Sequence, residues 1–205
     1  PARYLIRFLH NYGLVNVPVR PDWYVIKGGS KTYVEALTRE FKDKIRLSSP
    51  VTKIERLDKG VAITSHHGTE QFDAVFIACH SDQALALLHA PTELEQQILG
   101  AIRYQPNEIL LHTDSSVMPT RRRAWAAWNF HLLDGNQGRV PVTYNMNILQ
   151  SLDCEEQFCV TLNNSDAVDP AKVLKRLNYQ HPIYTQASVA AQARQSEINK
   201  NGLYF

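Results

Sequence analysis

Residues with the types needed for chemistry gather on three stretches of this chain. The first is Ile109-Leu110-Leu111-His112-Thr113-Asp114, where strand alternation puts His112 and Asp114 on one face with Leu110. A histidine and a carboxylate sharing a strand face suit acid–base work or the binding of a polar substrate. The alternative is a histidine hydrogen-bonded within its own sheet. The second is the apolar run Ala74-Val75-Phe76-Ile77-Ala78-Cys79, followed by His80-Ser81-Asp82. A strand of that composition is expected to be central and buried on both faces. It would deliver its end to a helix start, where α/β proteins bind anionic groups. His80, Ser81 and Asp82 do not make a catalytic triad, because triad members come from different loops; Ser81 or Asp82 reads as a helix cap. The third is aromatic: Trp125, Trp128 and Phe130, with Tyr144 and Met146 on a neighbouring strand. These pack a core or line an apolar substrate cavity.

Other patterns are weaker. Gly28-Gly29-Ser30-Lys31-Thr32 lacks the glycine directly before the lysine that a phosphate loop needs. It reads as a turn that lets the backbone approach something closely. Gly-x-Gly-x-x-Gly is absent, so these residues alone do not form a dinucleotide fingerprint. Cys79, Cys154 and Cys159 are too few for a disulfide scaffold, and their spacing with the histidines makes no zinc site. Cys79 is expected to be a reduced core residue. No metal site is expected. With 20% charged residues and a net charge of +2, the 205-residue chain has no polyanion-binding character. Arg121-Arg122-Arg123 reads as a solvated turn rather than a phosphate patch. No apolar run suffices for a membrane helix, and there is no signal peptide, so the expected location is the cytoplasm.

The elements that must position these residues follow from periodicity. Ala2 to about Asn11 is an amphipathic helix, and Val15 to Val19 is extended, with Pro18 and Pro21 confining it to an edge. Trp23–Lys27 is a short strand, Gly28-Gly29 a turn, and Ser30 the cap of a helix with an apolar stripe at Tyr33, Val34, Leu37 and Phe41. Strands are expected at Ile45–Leu47, Val51–Leu57, Val61–Ser65 and Glu70–Asp73, with turns at Lys59-Gly60 and His67-Gly68. Helices follow at Gln83–Leu88 and Thr92–Gly100. Four strand-like segments come next, Glu108–Asp114, Ala124–Phe130, Val140–Leu149 and Gln157–Leu162, separated by turns that include Asp134-Gly135-Asn136. Asp169-Pro170 opens a helix carrying Val173, Leu174 and Leu177, and Ala187–Arg194 is a last helix. The fold class is mixed α/β: a cofactor-type domain with a β-meander, and a mostly antiparallel sheet flanked by helices.

Val25-Ile26-Lys27-Gly28-Gly29-Ser30, Pro50-Val51-Thr52-Lys53-Ile54 and Phe72 through His80 together resemble the middle of the flavin-containing amine oxidase family. A bacterial branch of NAD/FAD-binding oxidoreductases is closer still. There the match extends through Ser81-Asp82-Gln83-Ala84-Leu85, Leu111-His112-Thr113-Asp114, Trp125-Ala126-Ala127-Trp128-Asn129, Thr143-Tyr144, Leu149-Gln150 and His181-Pro182. The resemblance implies FAD as cofactor, with Val51 lying against the adenine through its backbone. It puts Ala78 and Cys79 close to the cofactor and Gly28-Gly29 at a domain junction. It also implies an N-terminal glycine motif before residue 1 and a flavin motif continuing after Leu203-Tyr204-Phe205, so the chain is expected to be a fragment. The implied organisation is a helical lead-in at 1–22, the middle of an FAD domain at 23–90, a substrate domain at 91–196 and a returning strand at 197–205. Amine oxidases often carry a lysine near the flavin on the strand matching Ile109 to Asp114; here His112, Thr113 and Asp114 stand instead.

The expected function is oxidation of an amine, or of a C–H or C=C bond, in a small apolar substrate. His112 is the candidate catalytic group, and Thr113, Asp114, Trp128 and Tyr144 are the candidate substrate contacts. The alternative is a cofactor-free module that binds an apolar small molecule or a partner subunit. No nucleic-acid partner is expected, and self-association is left open.

Overall fold

The computed structural model describes residues 1–15, 22, 24–133 and 139–205. The expectations for residues 16–19, Pro18, Pro21 and Trp23, and for the Asp134-Gly135-Asn136 turn, lie outside the described residues. In chain order, α1 spans Ala2–Asn11 and α2 Ser30–Thr38, the latter continued by a 3-10 segment at Arg39–Lys44. Strands β1 (Val51–Arg56), β2 (Val61–Ser65), β3 (Gly68–Phe72) and β4 (Val75–Phe76) follow. Helices α3 (Ser81–Leu87) and α4 (Glu93–Leu99) lead to β5 (Tyr104–His112) and β6 (Trp128–Phe130). The chain then runs through β7 (Val142–Asn145), α5 (Met146–Gln150), β8 (Cys159–Leu162), β9 (Val173–Pro182), α6 (Gln186–Gln192) and β10 (Leu203–Tyr204). This is the mixed α/β architecture expected.

The chain divides into two compact units. One comprises Pro1–Asp22, Thr38–Tyr104 and Pro182–Phe205. Its β1, β2 and β3 form an antiparallel meander, and β4 pairs in parallel with β10. Turn chemistry fixes the first hairpin: Gly60 sits at φ +82°, and a Cβ there would lie 2.4 Å from the Phe72 carbonyl oxygen. Ile54 and Val61 from the meander pack with Leu88, Ile98, Ala191, Ile198 and Leu203 into one core. Helix α4 enters that core behind a capping box: the Thr92 hydroxyl accepts from the Glu95 amide, and Glu95 accepts from the Thr92 amide. Glu95 is wholly buried and also pairs with Arg56 of β1.

The other unit comprises Trp23–Leu37 and Gln105–His181. It carries a five-stranded sheet in the order β6-β7-β8-β5-β9. Pairing is antiparallel from β6 through β5. The start of β9 meets the end of β5, where the Thr113 amide donates to the Lys172 carbonyl at 3.0 Å.

Several expected elements differ. Tyr24–Ile26 and Ile45–Leu47 are not strands. Tyr24 is 87% exposed, Val25 and Ile26 are exposed too, and among the described residues no strand pairs with them to close a ladder. The apolar run at Ala74–Cys79 forms only the short β4, with one partner strand, β10, among the described residues. Val75 turns into the core, Phe76 is 78% exposed, and Ala78 and Cys79 are exposed, so Cys79 is not a core residue. The N-cap of α3 is His80, not Ser81 or Asp82. The Ser81 amide is instead taken by the Tyr104 hydroxyl at 3.0 Å. The expected helix after Pro170 is a single 3-10 turn, Pro170–Lys172, leading into β9. Val173 and Leu177 fit either period, and the free edge of β5 supplies backbone partners that a helix there would forgo. Likewise the segment at 140–149 turns into α5 after Asn145, and the strand expected at 124–130 is confined to β6. Helix α1 forms as expected; α2 has Ser30 as its first residue rather than its cap, and Phe41, expected on its stripe, falls in the 3-10 segment with non-helical dihedrals. Neither helix contains a buried residue.

Candidate functional site

In the sheet-bearing unit the register sorts the candidate residues onto two faces. Trp128 pairs with Tyr144, Tyr144 with Val160, and Val160 with Leu111. These four side chains form one row across β6, β7, β8 and β5. Beside it runs a second row of Phe130, Val142, Leu162 and Ile109. Trp128 is 52% exposed, Phe130 is exposed, and Tyr144, Val160 and Leu111 are half-buried. Two of the residues expected to contact substrate, Trp128 and Tyr144, are therefore direct cross-strand neighbours on an apolar face that is exposed along β6 and becomes buried at Val142 and Ile109. Side chains of a cross-strand pair stand close together on one face of the sheet.

His112 lies on the opposite face. It pairs with Cys159, which in turn pairs with Asn145, and all three are buried; His112 itself is 0% exposed. Its Nδ1 accepts from the Asp114 backbone amide at 3.1 Å, and its Nε2 lies 2.7 Å from the Thr161 hydroxyl. This is the bonding of a sheet histidine. Burial pushes its pKa below the ordinary imidazole value, against the pull of the nearby Asp114 charge. His112 and Asp114 are brought together, as alternation implied, but through the Asp114 backbone. The Asp114 carboxylate turns the other way. It accepts from the Asp169 amide (2.9 Å), the Ser116 amide (3.1 Å) and the Lys172 ammonium (3.2 Å). Burial alone would raise this carboxyl, yet those donors outweigh it and hold the group well below the usual carboxylate range. The same burial, with the Asp114 charge, pushes the Cys159 thiol up to about 11. Thr113, half-buried, lies one residue beyond β5.

Sequence reasoning missed the threonines of this buried face. The Thr161 hydroxyl lies 2.7 Å from that of Thr143, which lies 2.8 Å from His131 Nε2. Thr143 and Thr161 are directly paired. A buried threonine between apolar neighbours in Val142-Thr143-Tyr144 and Val160-Thr161-Leu162 was the available signal, because a buried hydroxyl needs a partner.

In the meander-bearing unit, the register of β1 slips between Val51 and Lys53, a bulge at Thr52. The Thr52 hydroxyl caps it by donating to the Thr64 carbonyl at 3.2 Å. Bulges leave backbone groups out of the ladder and available to something else. The end of β4 opens on a cavity of about 280 Å³, lined by Ile77, Cys79 and Ser81 with Ile98, Gln192 and Phe205 among others. Burial, and then the nearby Asp82 charge, raise the Cys79 thiol, which makes it a poor nucleophile at neutral pH. The His80 ring stacks on Tyr104, centroids 4.3 Å apart, and stiffens the turn from β4 into α3.

Gly28 and Gly29 form the turn expected of them. The Gly29 amide donates to the Ile26 carbonyl at 2.9 Å, and Gly28 at φ +85° takes the position of that turn that favours glycine. Arg121, Arg122 and Arg123 are exposed, with Arg122 lying over the Trp125 ring. Among the described residues no cluster of histidine, cysteine or carboxylate groups has the geometry of a metal site, and no helix is long and apolar enough to cross a membrane.

Residues 7–149 match the family model described as flavin containing amine oxidoreductase. No curated protein matches the sequence. Among solved structures the chain is similar to a fatty acid isomerase from P. acnes that produces CLA, with a TM-score of 0.59 and 13% identity, over 86% of this chain and 46% of that one. It is similar to a provisionally named protoporphyrinogen oxidase from Exiguobacterium sp. 255-15, with a TM-score of 0.53 and 15% identity, over 87% and 46% of the two chains. A putrescine oxidase bound to putrescine gives a TM-score of 0.53 at 9% identity, again over 87% and 46%. The chain thus spans about half the length of the structures it matches, and at these identities the likeness establishes the fold.

Proposed function

The chain belongs to the flavin containing amine oxidoreductase family, and on that premise we propose that it is part of an FAD-dependent oxidoreductase whose substrate lies against the β6-β7-β8-β5 sheet. The observation that carries this reading is the partly exposed row of Trp128, Tyr144, Val160 and Leu111. A paired aromatic surface continued by aliphatic side chains suits the body of a small apolar substrate. The group oxidised is an amine or a C–H or C=C bond. The similar structures include one oxidase bound to a diamine and one enzyme named for a fatty acid, and the apolar row favours a substrate with a sizeable hydrocarbon part.

A bound flavin supplies the two-electron acceptor chemistry. The residues present fit its adenine side: the register shift between Val51 and Lys53 leaves backbone groups out of the ladder at the position where the resemblance implies the adenine. Val51 is assigned that contact, Ala78 and Cys79 are assigned to the cofactor's approach after β4, and Gly28 and Gly29 to close passage of a ligand or backbone. The pyrophosphate-binding glycine pattern is not among the 205 residues. Thr113 and Asp114 sit at the end of β5, and Asp114 is assigned a positioning role there, because its carboxylate is already saturated by donors. His112, buried and bonded through both ring nitrogens, is likewise assigned a positioning role rather than contact with substrate.

The test is anaerobic bleaching of the flavin in the full-length protein on addition of aliphatic amines and, separately, unsaturated fatty acids. Bleaching by one class is expected, with Trp128→Ala and Tyr144→Ala each raising the half-saturating concentration about tenfold, the equivalent of one lost aromatic contact. Half-saturation unmoved in both variants would reject the sheet as the substrate wall. A second reading, a cofactor-free binding module, draws on the missing glycine pattern. It predicts apolar ligand binding that is indifferent to FAD.

A further inference from the structure

Four side chains on the buried face are joined end to end: His112, Thr161, Thr143 and His131. We infer that they form a hydrogen-bond relay with one permitted proton order, which makes His131 a proton sensor for this sheet.

The order follows from the donors. The Asp114 backbone amide points at His112 Nδ1, so that nitrogen must offer its lone pair. Neutral His112 then carries its proton on Nε2 and donates it to Thr161. A hydroxyl has one proton, so Thr161, having accepted from His112, donates to Thr143, and Thr143 donates to His131 Nε2. Every proton points toward His131, and the chain closes only if His131 Nε2 is unprotonated. Adding a proton there turns an acceptor into a donor aimed at Thr143. The Thr143 oxygen can accept it, but the Thr143 hydroxyl proton then loses its acceptor inside a residue that is wholly buried. An unmade hydrogen bond in such a site opposes the protonation that causes it.

The surrounding charges leave that logic intact. Asp114, in the segment after β5, meets His112 through its backbone amide, and its carboxylate pairs with Lys172 from the segment before β9. Cys159 of β8, opposite His112, is held as the thiol. His131 packs against β7 through Thr143 and gives its amide to the Pro141 carbonyl at 3.0 Å. No carboxylate or cation forms an ion pair with it among the described residues. Burial lowers the pKa of His131 in the same direction as the relay.

The experiment is a pH titration of the histidine ring nitrogens by ¹⁵N–¹H NMR in the intact protein, with Thr143→Val and Thr143→Ser. In the wild type, His112 should show its proton on Nε2, and His131 should titrate below a free histidine. Thr143→Val removes the bond that opposes protonation and should raise the His131 midpoint by about one pH unit, the shift equivalent to one hydrogen bond. Thr143→Ser keeps the hydroxyl and should leave the midpoint low. A wild-type His112 protonated on Nδ1 overturns the inference without reference to any variant. So does a His131 midpoint that is the same in the Val and Ser variants.

Discussion

Asp114→Asn tests the electrostatic hub beneath the sheet most sharply. The carboxylate is 2% exposed and accepts from the Asp169 amide on one oxygen and from Ser116 and Lys172 on the other. An asparagine keeps one acceptor and must aim its NH₂ group at a donor. The less costly orientation faces the Asp169 amide, which loses one hydrogen bond to a charged acceptor, about 1.5–3 kcal/mol. Lys172 also loses its counter-ion, but its side chain is 47% exposed, so this adds under about 1 kcal/mol. The expected loss at pH 7 is therefore about 1.5–4 kcal/mol, measured by urea denaturation. The sign of the pH dependence is also fixed. The folded-state pKa of Asp114 is depressed, so its contribution is fully present above the unfolded-state value of about 3.9 and is lost as pH falls toward the folded-state value. The gap between wild type and Asp114→Asn should hold from pH 7 to about pH 4.5 and narrow below about pH 3.9. A gap under about 0.5 kcal/mol at pH 7, or one that does not narrow on acidification, would refute the assignment.

Other outcomes follow from the same geometry. Gly60→Ala places a Cβ against the Phe72 carbonyl at a left-handed φ and should cost about 1–3 kcal/mol by thermal or urea unfolding. Glu95→Ala removes both the capping-box acceptor and the partner of Arg56 and should cost about 3 kcal/mol, whereas Glu95→Gln, which keeps the cap, should lose less. Because burial depresses His112 and His131, stability should fall as pH drops below their unfolded-state value of about 6.5, and Thr143→Val should flatten that fall. Cys79, exposed but with a raised thiol pKa, should react slowly with a thiol reagent in the folded protein and faster as pH rises, while Cys159, buried with its thiol pKa at about 11, should react only on unfolding.

The meander was legible because Lys59-Gly60 and His67-Gly68 are turns whose chemistry is local, and the strands they join alternate visibly. The parity of β5 was legible too: His112 shares the buried face with Leu110, as alternation requires. Sequence could not supply the register between strands. Parity within β5 says nothing about which residue of β8 lies opposite, so the Thr143–Thr161 pair and its bonds to two histidines were hidden. For the same reason His112 seemed able to join Trp128 and Tyr144, which lie across the sheet on the other face. Ala74–Cys79 misled differently. Its composition describes a strand buried on both faces, whereas the described residues give β4 one neighbour, so Phe76 and Cys79 stay exposed. At Val173–Leu177 the apolar spacing fits both periods, and only the open edge of β5 decides for strand.

The most direct test of the central claim is an equilibrium titration of FAD into the full-length protein, stripped of cofactor and followed by flavin fluorescence. Saturable binding of one FAD is expected, weakened by Val51→Pro, which removes a backbone amide at the proposed adenine side, and little changed by Trp128→Ala on the proposed substrate wall. Full-length protein that takes up no FAD, yet still binds an apolar ligand against Trp128 and Tyr144, would contradict it.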